Sequence, residues 1–184
     1  FSFFNFHLKH FAILICLGVV ALLYSFPFLP FGKKKRIKDY GSFKIITLAL
    51  LWTIVTVWFP VNDVDVNTTL FIFIFIKRFV FMFILCLLFD IRDAEIDRKE
   101  NINTLAVILG KKRSYLLSYI LLIVFVILSV AQYFYLPQTG FLIAMLISAI
   151  ATLATIEITK KNNSDFIYLA GIVGMMILQA LLVY

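Results

Sequence analysis

Long apolar runs alternate with short polar connections along the whole chain. Each run is close to the roughly 20 apolar residues that a helix needs to cross a bilayer. Prolines such as Pro27, Pro30 and Pro60 fall at the ends of runs, as expected from residues that remove a helix donor. The pattern predicts an all-α polytopic transmembrane bundle of about six spans, with helices at residues 11–31, 43–61, 68–89, 115–136, 139–159 and 165–184.

The composition excludes a soluble fold. Hydrophobic residues make up 63% of the 184 residues, and the mean hydropathy is +1.03, whereas soluble domains are about 45–50% apolar. A chain of this length could not bury so much apolar surface in water, because its ratio of surface to volume is too high. We therefore expect one transmembrane domain over residues 1–184, in the plasma (inner) membrane.

The basic residues that give the net charge of +7 lie mainly in the connections between the apolar runs. The first, third and fifth connections are rich in Lys and Arg, the second holds Asp63 and Asp65 without a basic residue, and the fourth is neutral. Basic connections face the cytoplasm in membrane proteins. The alternation therefore predicts cytoplasmic first, third and fifth connections and no nucleic-acid partner.

The third connection is unusually long and polar. It holds 24 residues, 90–113, whereas connections between helices usually take about 2–8. We interpret it as a cytoplasmic Asp-rich loop and as the first place to look for chemistry, because long connections often carry function.

Three acids open this segment, which reads FDIRDAEIDRKENINTLAVILGKKRS. Asp90, Asp93 and Asp97 are spaced so that they would share one face of a helix. Aligned carboxylates repel one another unless a cation lies between them, and their oxygens suit Mg²⁺, which keeps positions for water and phosphate. We predict that all three bind Mg²⁺ against a lipid diphosphate. Alternatively, they are solvated acids balanced by Arg92, Arg98 and Lys99.

The segment resembles the second Asp-rich motif of the UbiA superfamily of intramembrane prenyltransferases. That motif reads D-x-x-D-x-x-x-D, followed by a Thr-Leu-Ala-like stretch and a glycine, and here Thr104-Leu105-Ala106 and Gly110 follow the acids. YSFPFLPFGKKKR, at the end of the first run, is similar to the family's Tyr-x-x-Pro and Lys-bearing loop. The resemblance covers the whole chain as the later six spans of a bundle that usually has nine.

The resemblance implies Mg²⁺-dependent transfer of a prenyl group from an isoprenoid diphosphate to a lipophilic acceptor, often aromatic or a quinone precursor, within membrane lipid. Asp93 and Asp97 would correspond to the family's catalytic DxxxD pair, and Asp90 to the polar residue before it. A lysine near the first connection is expected to contact the substrate, and the candidates are Lys33, Lys34, Lys35 and Lys44.

The family's first motif, an Asn/Asp-rich stretch, is absent from this sequence, which begins at Phe1 without a methionine. We expect that motif to lie upstream of Phe1; the alternative is that the protein is a degenerate member that lacks it. On this interpretation the 184 residues hold about half of the active site.

Two cations lie inside the third apolar run. Arg78, next to Lys77, precedes Asp90 by about twelve residues, or roughly 18 Å along a helix. Charge within a membrane is costly and usually functional, so Arg78 is a candidate substrate-binding residue. The alternatives are snorkelling to the interface, or an ion pair with an acid such as Glu157.

Other functions remain open. A non-catalytic membrane protein that binds an isoprenoid diphosphate or a helical partner is the main alternative. CDP-alcohol phosphotransferases also use membrane aspartates with Mg²⁺, but DIRDAEID lacks their Asp-Gly and Ala-Arg pairs. A transporter is less favoured, because no pair of Gly- or Pro-broken helices indicates a site at the membrane midplane.

The alternation of charge gives a direct test of topology. Reporters fused after Arg36, Arg113 or Lys161 should indicate the cytoplasm, and fusions near Asp63 or Gln138 should indicate the outside, because basic connections stay on the cytoplasmic side. A cytoplasmic signal at Asp63 would contradict the six-span topology.

Overall fold

The protein is a bundle of helices. The computed structural model describes residues 41, 43–58, 67–162 and 164–183, and four separate positions (15, 18, 19 and 22) of the first apolar run. Apart from those four positions, the first predicted span, 11–31, lies outside the described residues. The described elements are α1 (Phe43–Thr53), continued by the π-helical Ile54–Trp58, then α2 (Thr68–Lys99), α3 (Leu105–Leu109), α4 (Lys111–Tyr135), α5 (Thr139–Lys161) and α6 (Asp165–Val183).

The predicted all-α fold is confirmed. The described part of the chain contains no β-strand. Three helices, α2, α4 and α5, are long and apolar enough to cross a membrane, and shorter apolar helices occupy Phe43–Val57 and Asp165–Leu181. The protein is therefore an integral membrane protein with several spans.

The length of α2 differs from the sequence prediction. Treating residues 90–113 as a loop is wrong, because α2 continues to Lys99, and α3 and the start of α4 fill most of the remainder. No Gly or Pro interrupts this stretch before Gly110, and its Arg, Ala, Glu and Lys residues favour a helix. A helix of 32 residues is about 48 Å long, so its last turns extend beyond a hydrocarbon layer of about 30 Å.

The α2 helix ends in a Schellman motif. Asn101 has a left-handed backbone with φ of 57°, a conformation that Asn tolerates better than most residues. The N–H of Asn101 donates to the carbonyl of Arg98 at 3.2 Å, and the N–H of Ile102 donates to the carbonyl of Asp97 at 2.8 Å. Two terminal carbonyls are thereby satisfied, and Arg98 and Lys99 in the last turn complement the negative end of the helix dipole.

The centre of the bundle is α2, which packs against α1, α4 and α6. Its middle section is apolar on all sides, as is typical of a helix surrounded by other helices; fully buried members include Phe81, Ile84, Leu85, Leu87 and Leu88. The outer faces of α4 and α5 instead expose large aliphatic side chains, which suits contact with lipid; examples are Ile120, Ile123, Ile127, Ile147 and Ile150.

Buried Ser and Thr hydroxyls of α4 and α5 are satisfied within their own helix. Seven Ser and Thr side chains of α4 and α5 each donate to the carbonyl four residues earlier: Ser114, Ser118, Ser129, Ser148, Thr152, Thr155 and Thr159. Lipid offers no hydrogen bonds to polar groups. These small residues therefore allow close packing of helices without leaving a polar atom unpaired.

Gly171 marks a close contact between α5 and α6. A Cβ added there would lie 2.8 Å from Cγ2 of Thr155, whose hydroxyl is held by the carbonyl of Ala151 at 2.9 Å. We expect Gly171→Ala to lower the free energy of unfolding by about 1–3 kcal/mol, the usual effect of overpacking. Unfolding in detergent micelles with increasing dodecyl sulfate measures the change.

Gly174, in the same helix, provides the matched control. A Cβ added at Gly174 meets no atom within 4 Å, so Gly174→Ala should be neutral or slightly stabilising, because Ala favours a helix more than Gly does. Equal destabilisation by both substitutions would contradict the close-packing explanation.

Candidate functional site

A cluster of charged side chains forms where α1 begins and α2 extends past its apolar section. Nζ of Lys44, in the first turn of α1, lies 3.2 Å from Oδ1 of Asp90 and 3.7 Å from Oδ2 of Asp97. Both carboxylates are buried, and the Lys44 side chain is 19% exposed. One ammonium group is thus shared by two acids that lie seven residues apart.

The helical register explains which acids face Lys44. Seven residues are close to two turns, so Asp90 and Asp97 project on nearly the same side of α2, whereas Asp93 is rotated from Asp90 by about 60°. The carboxylate of Asp93 accepts hydrogen bonds from Nε and Nη2 of Arg92, at 2.8 and 3.3 Å. It is also 28% exposed. The three acids therefore have different surroundings, with Asp90 and Asp97 inside and Asp93 nearer the surface.

Gly41 allows α1 to approach the end of α2. It has a φ of 44°, and a Cβ added there would lie 2.0 Å from the carbonyl oxygen of Asn103, just beyond the Schellman turn. The carbonyl of Gly41 accepts the N–H of Lys44 at 3.2 Å. The same close contact therefore fixes the start of α1 and places Lys44 against the acids.

The acidic cluster fits a magnesium ion that is completed by a substrate. Three buried side-chain oxygens in the described residues make no hydrogen bond: Asp90 Oδ2, Asp97 Oδ2 and Thr104 Oγ1. Mg²⁺ usually takes one or two carboxylates and fills its other positions with water and phosphate. No group of three or more His, Cys, Asp or Glu side chains in the described part of the chain is arranged to hold a metal. The donor set thus suits a partly hydrated ion and does not form a complete protein cage.

The remaining predicted substrate-binding residues lie elsewhere. Lys33, Lys34 and Lys35 are outside the described residues. Arg78 does not join the acidic cluster, since its guanidinium donates to Thr56 Oγ1 at 3.1 Å and to Oε1 of Gln179.

The alternative of an ion pair between these intramembrane cations and Glu157 is wrong. Glu157 accepts a hydrogen bond from the hydroxyl of Tyr119. Lys77 donates instead to Oε1 of Gln132, and its ammonium group lies 4.4 Å from the centre of the Phe141 ring.

Sequence reasoning missed the two glutamines and the contact of Gly41. Gln132 and Gln179 stand inside apolar runs, and polar residues within spans are a signal of function that could have identified both. Gly41 was visible only as an ordinary turn residue. Its contact with Asn103 joins residues more than sixty positions apart and leaves no local signal.

Comparison with known proteins supports one family. A model of the UbiA prenyltransferase family matches residues 2–178, nearly the whole chain, including Lys44 and the three aspartates. Neither the curated proteins nor the solved structures gave a match.

The position of Gly41 makes a stability prediction with a built-in control. Gly41 and Gly110 both have positive φ, so alanine at either should cost about 1–3 kcal/mol in backbone strain, and Gly110, with φ of 76° and ψ of 157°, lies in a region that glycine alone readily adopts. Only at Gly41 does the added Cβ collide, because Gly110 has no atom within 4 Å. We expect Gly41→Ala to lower the free energy of unfolding by about 1–3 kcal/mol more than Gly110→Ala does. Similar losses in the two variants would show that the contact with Asn103 is not tight.

Proposed function

This chain belongs to the UbiA prenyltransferase family, and we propose that it transfers a prenyl group from an isoprenoid diphosphate to a lipophilic acceptor in a Mg²⁺-dependent reaction. The bond between prenyl C1 and the diphosphate oxygen breaks, a bond between C1 and the acceptor forms, and the acceptor releases a proton. An aromatic compound or quinone precursor is the proposed acceptor. The cluster of Lys44 with Asp90 and Asp97 is the observation that carries the proposal.

The charge of the cluster supports a divalent cation. When all are ionised, the three aspartates outnumber Lys44 and Arg92, the two cations paired with them. A diphosphate is itself strongly negative, so an acidic cluster alone would repel it. Binding at this position therefore needs added positive charge, and the carboxylate oxygens favour a hard ion such as Mg²⁺.

The surroundings of the acids support a division of roles. We assign Asp93 and Asp97 to magnesium, since Asp93 is reachable from the surface, and Asp97, which like Asp90 has a carboxylate oxygen without a hydrogen bond, lies farther from Lys44 than Asp90 does. Asp90 makes the shorter contact with Lys44 and would direct the ammonium group toward the diphosphate. Lys33, Lys34 and Lys35 remain candidates for further contacts. Bound magnesium would supply Lewis-acid stabilisation of the charge that develops on the leaving diphosphate.

The location of the cluster along α2 suits an amphipathic substrate. Leu85, Leu87 and Leu88, shortly before Asp90, are apolar and fully buried, whereas most residues after it are polar. A charged headgroup needs the polar side of this boundary, because burying a charge in hydrocarbon is costly. Its prenyl tail can remain in the apolar layer. The positive-inside rule predicts that this end of α2 faces the cytoplasm.

The proposal predicts graded losses of activity in the intact protein. Asp97→Asn should lower the rate of prenyl transfer at least about 10²-fold, on the scale of one preorganised electrostatic contact. Lys44→Met should lower it about tenfold or more, the effect of losing a charged hydrogen bond of roughly 1.5–3 kcal/mol. Lys44→Arg should recover part of that loss. Glu95 is exposed, and Glu95→Gln should leave activity within about twofold of wild type, as expected where no specific contact is lost.

The assay measures transfer from a panel of isoprenoid diphosphates to aromatic and quinone-precursor acceptors, with and without Mg²⁺. A loss in Glu95→Gln equal to that in Asp97→Asn would contradict the assignment of the acids. Mg²⁺-dependent binding of the diphosphate without turnover would favour the alternative, a non-catalytic membrane protein that binds an isoprenoid diphosphate. Absence of both binding and turnover would contradict both functions.

A further inference from the structure

A second polar site surrounds the two cations in the middle of α2. It is a cavity of about 520 Å³ where the ends of α1, α4 and α6 meet the start of α5. Lys77 and Arg78 line it together with Thr56, Gln132 and Gln179. Arg78 precedes Asp90 by twelve residues, about 18 Å along the helix.

The cations in this cavity have only neutral partners among the described residues. Lys77 donates to the amide oxygen of Gln132, and Arg78 donates to the amide oxygen of Gln179 and the hydroxyl of Thr56. None of the residues that line the cavity is an Asp or Glu, and the other walls are largely apolar; they include Ile74, Leu136, Phe141 and Met145. Among the described residues, the cavity therefore has positive charge without an acidic counter-charge.

An uncompensated charge is unfavourable at this position. The Lys77 side chain is 4% exposed, and Arg remains protonated in proteins. Amide and hydroxyl oxygens offset only part of the energy of removing such charges from water. An anion would compensate both cations, and a guanidinium group can hold a carboxylate or phosphate through two parallel hydrogen bonds.

We propose that this cavity binds the anionic headgroup, a phosphate or carboxylate, of an amphiphile whose apolar part lies against the aliphatic and aromatic walls. Gln132 and Gln179 would assist by turning their NH₂ groups toward the anion, since an amide side chain offers either an acceptor or donors. The cavity also includes Gln138, in the short turn between α4 and α5. The headgroup would therefore enter from the membrane face opposite the acidic cluster.

This site is separate from the proposed transfer reaction. Reacting atoms must approach within about 3–3.5 Å, whereas about 18 Å of helix lies between Arg78 and Asp90. An anionic headgroup held at Arg78 is thus not itself the reacting group at the moment of transfer. The inference depends only on the cavity and its charges, so it does not rest on the proposed enzymatic activity.

Lipid dependence of stability tests the proposal in the intact protein. Thermal unfolding is measured in nanodiscs of phosphatidylcholine alone and of phosphatidylcholine with phosphatidylglycerol, and bound lipid is counted by native mass spectrometry. Wild type should unfold at a higher temperature with phosphatidylglycerol. Arg78→Gln should bind that lipid at least about tenfold more weakly and lose most of the rise in unfolding temperature. In phosphatidylcholine alone, it should unfold at a temperature no lower than that of wild type. A purely structural Arg78 would instead destabilise the variant equally in both lipids.

Lys112→Gln is the matched control, because it removes one positive charge from an exposed position at the other end of the bundle. Lys112→Gln should keep the full rise in unfolding temperature that phosphatidylglycerol gives to wild type. If Lys112→Gln loses as much of that rise as Arg78→Gln does, the effect comes from general surface charge and the proposal is overturned. If Arg78→Gln does not fold, Arg78→Lys takes its place. That variant keeps the charge but loses the two-point contact, so unchanged lipid affinity in it would also count against the site.

Two further arms identify the source of the anion. If inorganic phosphate alone raises the unfolding temperature of wild type and not of Arg78→Gln, the site binds a free anion and the amphiphile is excluded.

Asp63 and Asp65, outside the described residues, are the nearest acids along the chain after α1. If Asp63→Asn with Asp65→Asn destabilises the protein in phosphatidylcholine and the added Arg78→Gln relieves the loss, the counter-charge is internal and an external ligand is overturned.

Discussion

Charge and polarity cannot remain unpaired in the hydrocarbon of a membrane, and each helix of this protein meets that constraint in its own way. Buried Ser and Thr hydroxyls of α4 and α5 bond to carbonyls of the preceding turn, so they need no partner on another helix. Asp90 and Asp97 share Lys44. Among the described residues, Lys77 and Arg78 hydrogen-bond only to neutral oxygens. The hydroxyls are satisfied within the chain, whereas the acidic cluster keeps carboxylate oxygens without a hydrogen bond, and the two cations have no acidic partner in the described part of the chain.

Local pattern was sufficient to predict where most helices lie. Apolar runs located α1, α4, α5 and α6 to within a few residues, because the thickness of a bilayer sets the length of a span. The same reasoning failed at Phe89, where apolarity ends but the helix does not. A helix ends where the backbone leaves the helical conformation. Here that happens at Asn101, whose left-handed conformation closes the Schellman motif. Hydropathy carries no information about that event.

The candidate site was predictable only in part. The spacing of the three aspartates correctly implied that all three lie on one helix, α2, but Asp93 contacts Arg92 and not Lys44. It could not indicate that Lys44 would pair with two of them, because that pairing requires α1 and α2 to meet, and this in turn requires the missing side chain of Gly41. Nor could the order of residues reveal that Gln132 and Gln179 converge on neighbouring cations from different helices. Contacts between distant segments depend on packing, which a single sequence does not display.

Asp97 belongs to the site and to the helix terminus at once. Its side chain lies near Lys44, while its main-chain carbonyl accepts the N–H of Ile102. Fraying of the last turn of α2 would therefore release the carboxylate and expose the Ile102 amide in a single event. The rate at which that amide exchanges its hydrogen with solvent thus reports how firmly the acidic cluster is assembled. Anything that bridges the acids to α1 should slow the exchange, even without chemical turnover.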